Sequence, residues 1–85
     1  MIWPPWWSWE LELAPHVEKR MEDRSFTEVD LRAMLEGATL HRPDHVEGRF
    51  VIETRLGGRP WHVIVEPDVE VEMLVVVTCY PVDRQ

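Results

Sequence analysis

Cysteine is almost missing from this 85-residue sequence, in which Cys79 stands alone. A lone cysteine forms no internal disulfide, so the fold must rest on its apolar core and needs no oxidising compartment. Its aliphatic neighbours Leu74, Val75, Val76 and Val77 suit a packed side chain better than a reactive thiolate. Lysine is equally scarce, with Lys19 the only one, and the net charge is −7. An acidic chain is repelled by a phosphate backbone unless its arginines gather on one face, which argues against a general nucleic-acid binder. No apolar run approaches the roughly 20 residues that cross a bilayer, so no membrane association is expected. The apolar N-terminus has no basic leader and is interrupted by Pro4, Pro5 and Glu10. A signal peptide is therefore not expected, and a cytoplasmic location is. Gly-rich phosphate loops, nucleophile elbows and Cys-x-x-Cys pairs are absent, and with them the enzyme classes they announce.

What is present fits one small domain. Hydrophobic residues make up 45% and charged residues 29%, which excludes disorder but allows only one modest core at this length. Residues 1–14 form a Trp/Pro-rich segment ahead of a single α+β domain over 15–85. Trp3, Trp6, Trp7 and Trp9 crowd the segment, and Pro4-Pro5 predicts an extended course without a helix. Four indoles are poorly accommodated in water, so they cap the core or form an interface with a second chain. The alternation Glu10-Leu11-Glu12-Leu13 reads as a short edge strand or an extended lead-in.

Pro15 predicts the first position of a helix over 15–24, with Val17 and Met21 as its apolar stripe and His16, Arg20 and Arg24 beside it. Thr27 and Asp30 predict a shortened capping box, and Phe26 with Leu31 a hydrophobic staple, for a second helix over 28–36. Val29, Leu31, Met34, Leu35 and Ala38 form its expected buried face, and Gly37 its stop. Residues 39–47 read as loop. Two strands then flank Gly57-Gly58, a pair suited to the positive φ angles of a two-residue hairpin. That turn pairs Thr54 with Trp61, Glu53 with His62, Ile52 with Val63 and Phe50 with Val65. Phe50, Ile52, Trp61, Val63 and Val65 should then face the core, with Val51, Glu53, Arg55, His62, Ile64 and Glu66 opposite. Residues 73–80 read as a strand apolar on both sides, hence central or covered twice. The expected architecture is two N-terminal helices packed on a three-stranded antiparallel sheet, four-stranded if residues 10–13 join it.

Three side-chain groups are candidates for chemistry. His41, Asp44 and His45 have metal-ligand types, but Pro43 breaks any helix that would align them, so a solvated loop is expected and no metal or cofactor. Glu53 and His62 are cross-strand neighbours with Arg55 on the same face. A carboxylate, an imidazole and an arginine suit general acid–base work on a phosphodiester, and equally form an ordinary charged strand surface. His16, Arg20 and Arg24 share a helix flank that is equally compatible with a solvated face among Glu18, Glu22, Asp23 and Glu28.

The run His16-x-x-x-Arg20-x-x-x-Arg24, the segment from Thr27 to Leu31, Gly48-Arg49, Gly57-Gly58-Arg59 and the ending Val77-Thr78-Cys79-Tyr80 resemble the bacterial domain-of-unknown-function 4258 family. Ser25-Phe26 stands where that family favours glycine and an aliphatic residue, and the tryptophan-rich start is an addition. The resemblance implies a fold similar to the RelE/BrnT-type toxin ribonucleases, which cleave RNA with histidine, arginine and tyrosine side chains without metal, many of them held inactive by an antitoxin protein. It carries over His16, Arg20, Arg24, Arg59 and Tyr80 as site candidates, to which the hairpin register adds His62. Two functions follow as expectations. One is a toxin-like domain that cleaves RNA and is neutralised by an antitoxin. The other is a non-catalytic interaction module using its indoles for a homodimer or a partner. On the first, Arg20, Arg24, Arg59, His62 and Tyr80 should converge on one concave surface.

Overall fold

The computed structural model describes residues 3–82; the ends of both expected segments, residues 1–2 and 83–85, lie outside the described residues. In chain order the elements are a 3-10 turn Pro5–Ser8, β1 Glu10–Leu13, α1 Pro15–Asp23, α2 Glu28–Glu36, β2 Leu40–Pro43, β3 Phe50–Leu56, β4 Arg59–Asp68 and β5 Met73–Pro81. The strands form one sheet in the order β1-β5-β4-β3-β2. Both helices pack on one face of it.

Several local expectations hold for the reasons that generated them. Pro15 opens α1, where its missing N–H is no loss. At α2 the capping box is reciprocal: Thr27 accepts from the Asp30 N–H, and the Asp30 carboxylate accepts from the Thr27 N–H at 2.9 Å. Phe26 and Leu31 are both buried. Gly57 and Gly58 have φ of 59° and 80°, the left-handed pair that a two-residue hairpin needs. The β3–β4 register is the expected one throughout, from Phe50 opposite Val65 to Leu56 opposite Arg59. Ile52, Trp61, Val63 and Val65 join Val17, Met21, Leu31, Met34, Leu74, Val76 and Cys79 in the core, with Phe50 packed against it. Thr54 lies on the same side, buried, and donates its hydroxyl to the Met34 carbonyl near the end of α2. That bond satisfies one of the helix's terminal carbonyls and ties the layers together.

The sheet itself differs from expectation. It has five strands and is mixed, not three or four antiparallel ones. β1 runs parallel to β5, with Leu11 opposite Leu74 and Leu13 opposite Val76, which puts both leucines on the core side. Residues expected as loop supply β2, which pairs antiparallel with β3. Its four residues include a histidine, an arginine and a proline, a composition that conceals a strand and is tolerated because β2 is an edge. Val29 is 75% exposed: the face toward the sheet is set by Leu31, Met34 and Leu35, and Val29 lies on the other side of the helix. Pro4-Pro5 does not keep the arm extended, because Pro5 occupies the first position of the 3-10 turn.

The arm crosses the helix side of the sheet from its β2 edge to its β1 edge. Trp6 packs on Phe50 with ring centroids 4.9 Å apart, and Trp3 stacks on Trp7 at 4.2 Å. Trp6, Trp7 and Trp9 all lie half-buried against the core. The indoles thus extend the helical layer over core that the two short helices leave uncovered. Deleting residues 1–8 is expected to lower the urea midpoint without changing the mass seen by light scattering. A deletion product that stays stable at half the original mass identifies the indoles as an interface instead.

Ser25 links the two helices with φ 57°. The Phe26 N–H reaches the Met21 carbonyl at 3.0 Å and the Ser25 N–H the Glu22 carbonyl at 3.3 Å, the two bonds of a Schellman cap. A left-handed residue with a Cβ is strained there, which gives a physical reason for glycine at this position. Ser25→Gly is expected to raise the unfolding free energy by about 0.5–1 kcal/mol in urea denaturation.

Candidate functional site

The hairpin register decides which candidates can work together. β3 and β4 expose Glu53, Arg55 and His62 on the face away from the helices, together with buried Val51 and Ile64. β5 completes the row in a way alternation alone does not predict. Val76 pairs with Val65 on the core side, and strict alternation would send Thr78 and Tyr80 inward as well. A register shift between Ile64 and Val65 leaves Val77 as an extra residue, so Cys79 turns into the core and Tyr80 turns out opposite His62. Glu53, His62 and Tyr80 therefore stand side by side on three adjacent strands of the open face. The His62 and Tyr80 rings meet edge to face with centroids 5.7 Å apart.

Two arginines shape this face. Arg42 donates Nε–H to Glu53 Oε2 at 3.2 Å, and Arg55 donates to the Gly58 carbonyl at 2.9 Å. Glu53, Arg55 and His62, with Thr39 and Pro60, line a shallow hollow of about 60 Å³. Farther along, Arg49 binds Glu66 at 3.1 Å. Carboxylate, imidazole, phenol and guanidinium groups are thus gathered on one accessible surface, a set able to move protons and hold an anion.

The other candidates lie across the sheet from that row. Arg24 caps the C-terminus of α1, with its guanidinium carbon 5.8 Å from the centroid of Trp61, a core-side ring. Arg20 and Arg24 are both close enough to Cys79 for their charge to be felt by its thiol. Arg59 lies opposite Leu56, on the helix side by alternation. His16 is exposed on the first turn of α1. The expected convergence of Arg20, Arg24, Arg59, His62 and Tyr80 on one surface therefore does not occur. Arg20, Arg24 and Arg59 share the glycine-hairpin end of the sheet with His62 and Tyr80, but on the opposite face. The physical cause is the alternation of β4: Arg59 and Trp61 point one way, Pro60 and His62 the other.

Among the described residues no group of three or more His, Cys, Asp or Glu side chains has the arrangement to hold a metal ion. His45 bonds to Asp44 at 3.0 Å, whereas His41 sits among the indoles, 4.8 Å from Trp3 between ring centroids. The placement of His41 could be read only from β2, which the sequence conceals. Among the described residues no helix is long and apolar enough to cross a membrane.

Cys79 is fully buried, which pushes its thiol above its ordinary range, and the Arg20 and Arg24 charges pull back against that. An acid whose folded pKa is raised stabilises the fold least once pH exceeds the unfolded value, because only the unfolded chain then releases the proton. Stability should thus fall as pH rises above about 9, the thiol's ordinary value, and a Cys79→Ala chain should lack that component. In the native protein a thiol-specific disulfide reagent is expected to react at least ~100-fold more slowly than in 8 M urea, since burial shields the thiol and favours its protonated form.

Residues 13–81 match the family described as domain of unknown function DUF4258. No curated protein and no solved structure matches the chain. The match leaves the four clustered N-terminal tryptophans outside it and takes in both helices and all five strands except the first three residues of β1. The chain belongs to the DUF4258 family.

Proposed function

We propose that this DUF4258 domain is a toxin-like ribonuclease that cleaves RNA without a metal ion and works from the open face of its sheet. The single observation behind this reading is the Glu53–His62–Tyr80 row, with Arg55 beside it. The motifs resemble the DUF4258 family, and the fold similarity to RelE/BrnT-type ribonucleases that this resemblance implies suggests the reaction class. His62 accepts the proton of a ribose 2′-hydroxyl, and the 2′-oxygen attacks the adjacent phosphorus. The bond to the 5′-oxygen breaks, and the Tyr80 hydroxyl donates a proton to that leaving oxygen. The products are a 2′,3′-cyclic phosphate and a 5′-hydroxyl. Arg55 faces the phosphate, where a guanidinium stabilises charge that builds on the equatorial oxygens. Glu53 orients the imidazole from the neighbouring strand. An antitoxin protein covering this face would silence the enzyme.

Electrostatics supports one approach direction. Arg20, Arg24, Arg55 and Arg59 are four of the nine basic residues, and all stand near the glycine-hairpin end. An otherwise acidic molecule thereby offers an anionic strand one favourable end.

A second reading has its own observation. Arg42 and Arg49 on the open face are each closed by a carboxylate, and the net charge is −7. Such a face suits a protein partner better than a polyanion, and it favours a non-catalytic interaction module. The assay is cleavage of single-stranded and ribosome-bound RNA by the purified chain. Cyclic-phosphate products are expected, with the rate falling about 100-fold or more in His62→Ala and Tyr80→Phe. Both variants should keep the wild-type circular dichroism spectrum. Undiminished cleavage by both, with loss in Arg24→Ala, would move the site to the helix side. No cleavage of any RNA would leave the interaction module.

A further inference from the structure

The end of the open face remote from the glycine hairpin carries a different pattern. Register sets two rows across β1, β5 and β4: Glu10–Met73–Asp68 and Glu12–Val75–Glu66. Their side chains point away from the helices, since the alternate residues Leu11, Leu13, Leu74, Val76 and Val65 belong to the core side. Each row holds an aliphatic side chain between two carboxylates. Met73 and Val75 are only half-buried, while Glu10, Glu12 and Asp68 are exposed. Arg49 holds Glu66, but the other three carboxylates enter none of the ion pairs among the described residues.

The β4–β5 turn continues the surface. Val69 and Val71 are 73% and 61% exposed there, beside Glu70 and Glu72. Turns ordinarily favour Gly, Asn, Asp and Ser, which meet the backbone's needs without exposing apolar surface. This one instead presents two β-branched residues and holds Glu72 at φ 52°, in the left-handed region. Local folding gains nothing from that choice, whereas a binding surface does.

We infer that these rows and the turn form a docking surface for a cationic amphipathic helix of a protein partner. Charge complementarity selects the occupant. A purely aliphatic partner would strip water from the carboxylates without replacing it, and a purely cationic one would leave Met73, Val75 and the turn valines wet. Nucleic acid and anionic membranes are repelled by the same carboxylates. Spacing selects a helix crossing the strands. Strands lie about 4.8 Å apart, so the carboxylates of a row are about 10 Å apart across β5. Arginines at i and i+7 of a helix are separated by about 10.5 Å on one face, with i+3 and i+4 between them for aliphatic side chains. This inference does not rest on the ribonuclease reading, which uses the other end of the face.

The test uses the full chain and an alanine-based helical peptide carrying Arg at i and i+7 and Leu at i+3 and i+4. Fluorescence anisotropy should show saturable binding. Affinity should drop at least about tenfold in the Glu10→Gln/Glu12→Gln/Asp68→Asn chain and, separately, in a Val69→Ser/Val71→Ser chain. Both chains should keep the parent's circular dichroism and melting temperature, since the altered side chains are exposed. Peptides with Glu for Arg, or Ala for Leu, should not bind. Absence of binding by the Arg/Leu peptide overturns the inference. So does undiminished binding by the variants, or equal binding by the Ala-for-Leu peptide, which would be charge attraction alone. Self-association of the chain that disappears in the charge-neutralised variant would make the occupant a second copy, and would overturn the partner reading too.

Discussion

The Gly57-Gly58 turn is the constraint from which the rest of the architecture follows. Its two positive φ angles close a two-residue hairpin and fix the pairing of β3 with β4, with no freedom to slip. A shift of one residue would reverse the sides, sending Trp61, Val63 and Val65 to solvent and His62 and Ile64 beneath the helices. Every other element takes its place from that choice. α2 docks where Thr54 can reach the Met34 carbonyl, and Phe26, between the helices, meets Trp61 edge to face at 5.5 Å.

A small core brings a second constraint. Two nine-residue helices cannot roof a five-stranded sheet. The tryptophan arm covers what they leave, and β1 then enters beside β5 in parallel, which makes β5 an interior strand. The arm lies outside the family match, so in this chain a segment added to the family's domain contributes to its core. Among the described residues no element roofs the other side of the sheet. Val51 and Ile64 are nevertheless buried there, among longer neighbours such as Arg42, Arg49, Glu53 and Glu66.

That unroofed face is chemically divided along its length. Near the glycine hairpin it holds His62, Tyr80, Glu53 and Arg55; near the β4–β5 turn it holds carboxylates and aliphatic side chains. The division comes from strand direction: Arg55 precedes the β3–β4 turn and His62 follows it, and the acids cluster around the β4–β5 turn and the start of β1. A domain with only one small core thereby presents two surfaces of opposite character on one sheet.

The sequence by itself determined whatever depends on short-range pattern. The capping box at Thr27, the proline start of α1, the glycine hairpin and the inward set of Ile52, Trp61, Val63 and Val65 are all local, because dihedral limits and period-2 alternation act over a few residues. Glu53 and His62 could be paired across strands for the same reason. Tertiary structure alone decided the rest. β2 exists because a sheet edge was available to it, and its own four residues do not signal it; the alternation of residues 10–13 offered an edge strand, but not its parallel course beside β5. The Val77 bulge carries no glycine or proline to mark it, yet it brings Tyr80 to His62 and turns Cys79 into the core. The split of Arg20 and Arg24 from that pair was equally hidden, since motif spacing gives position along the chain but not which side of a sheet a helix covers, whereas that of Arg59 follows from the alternation that separates Trp61 from His62.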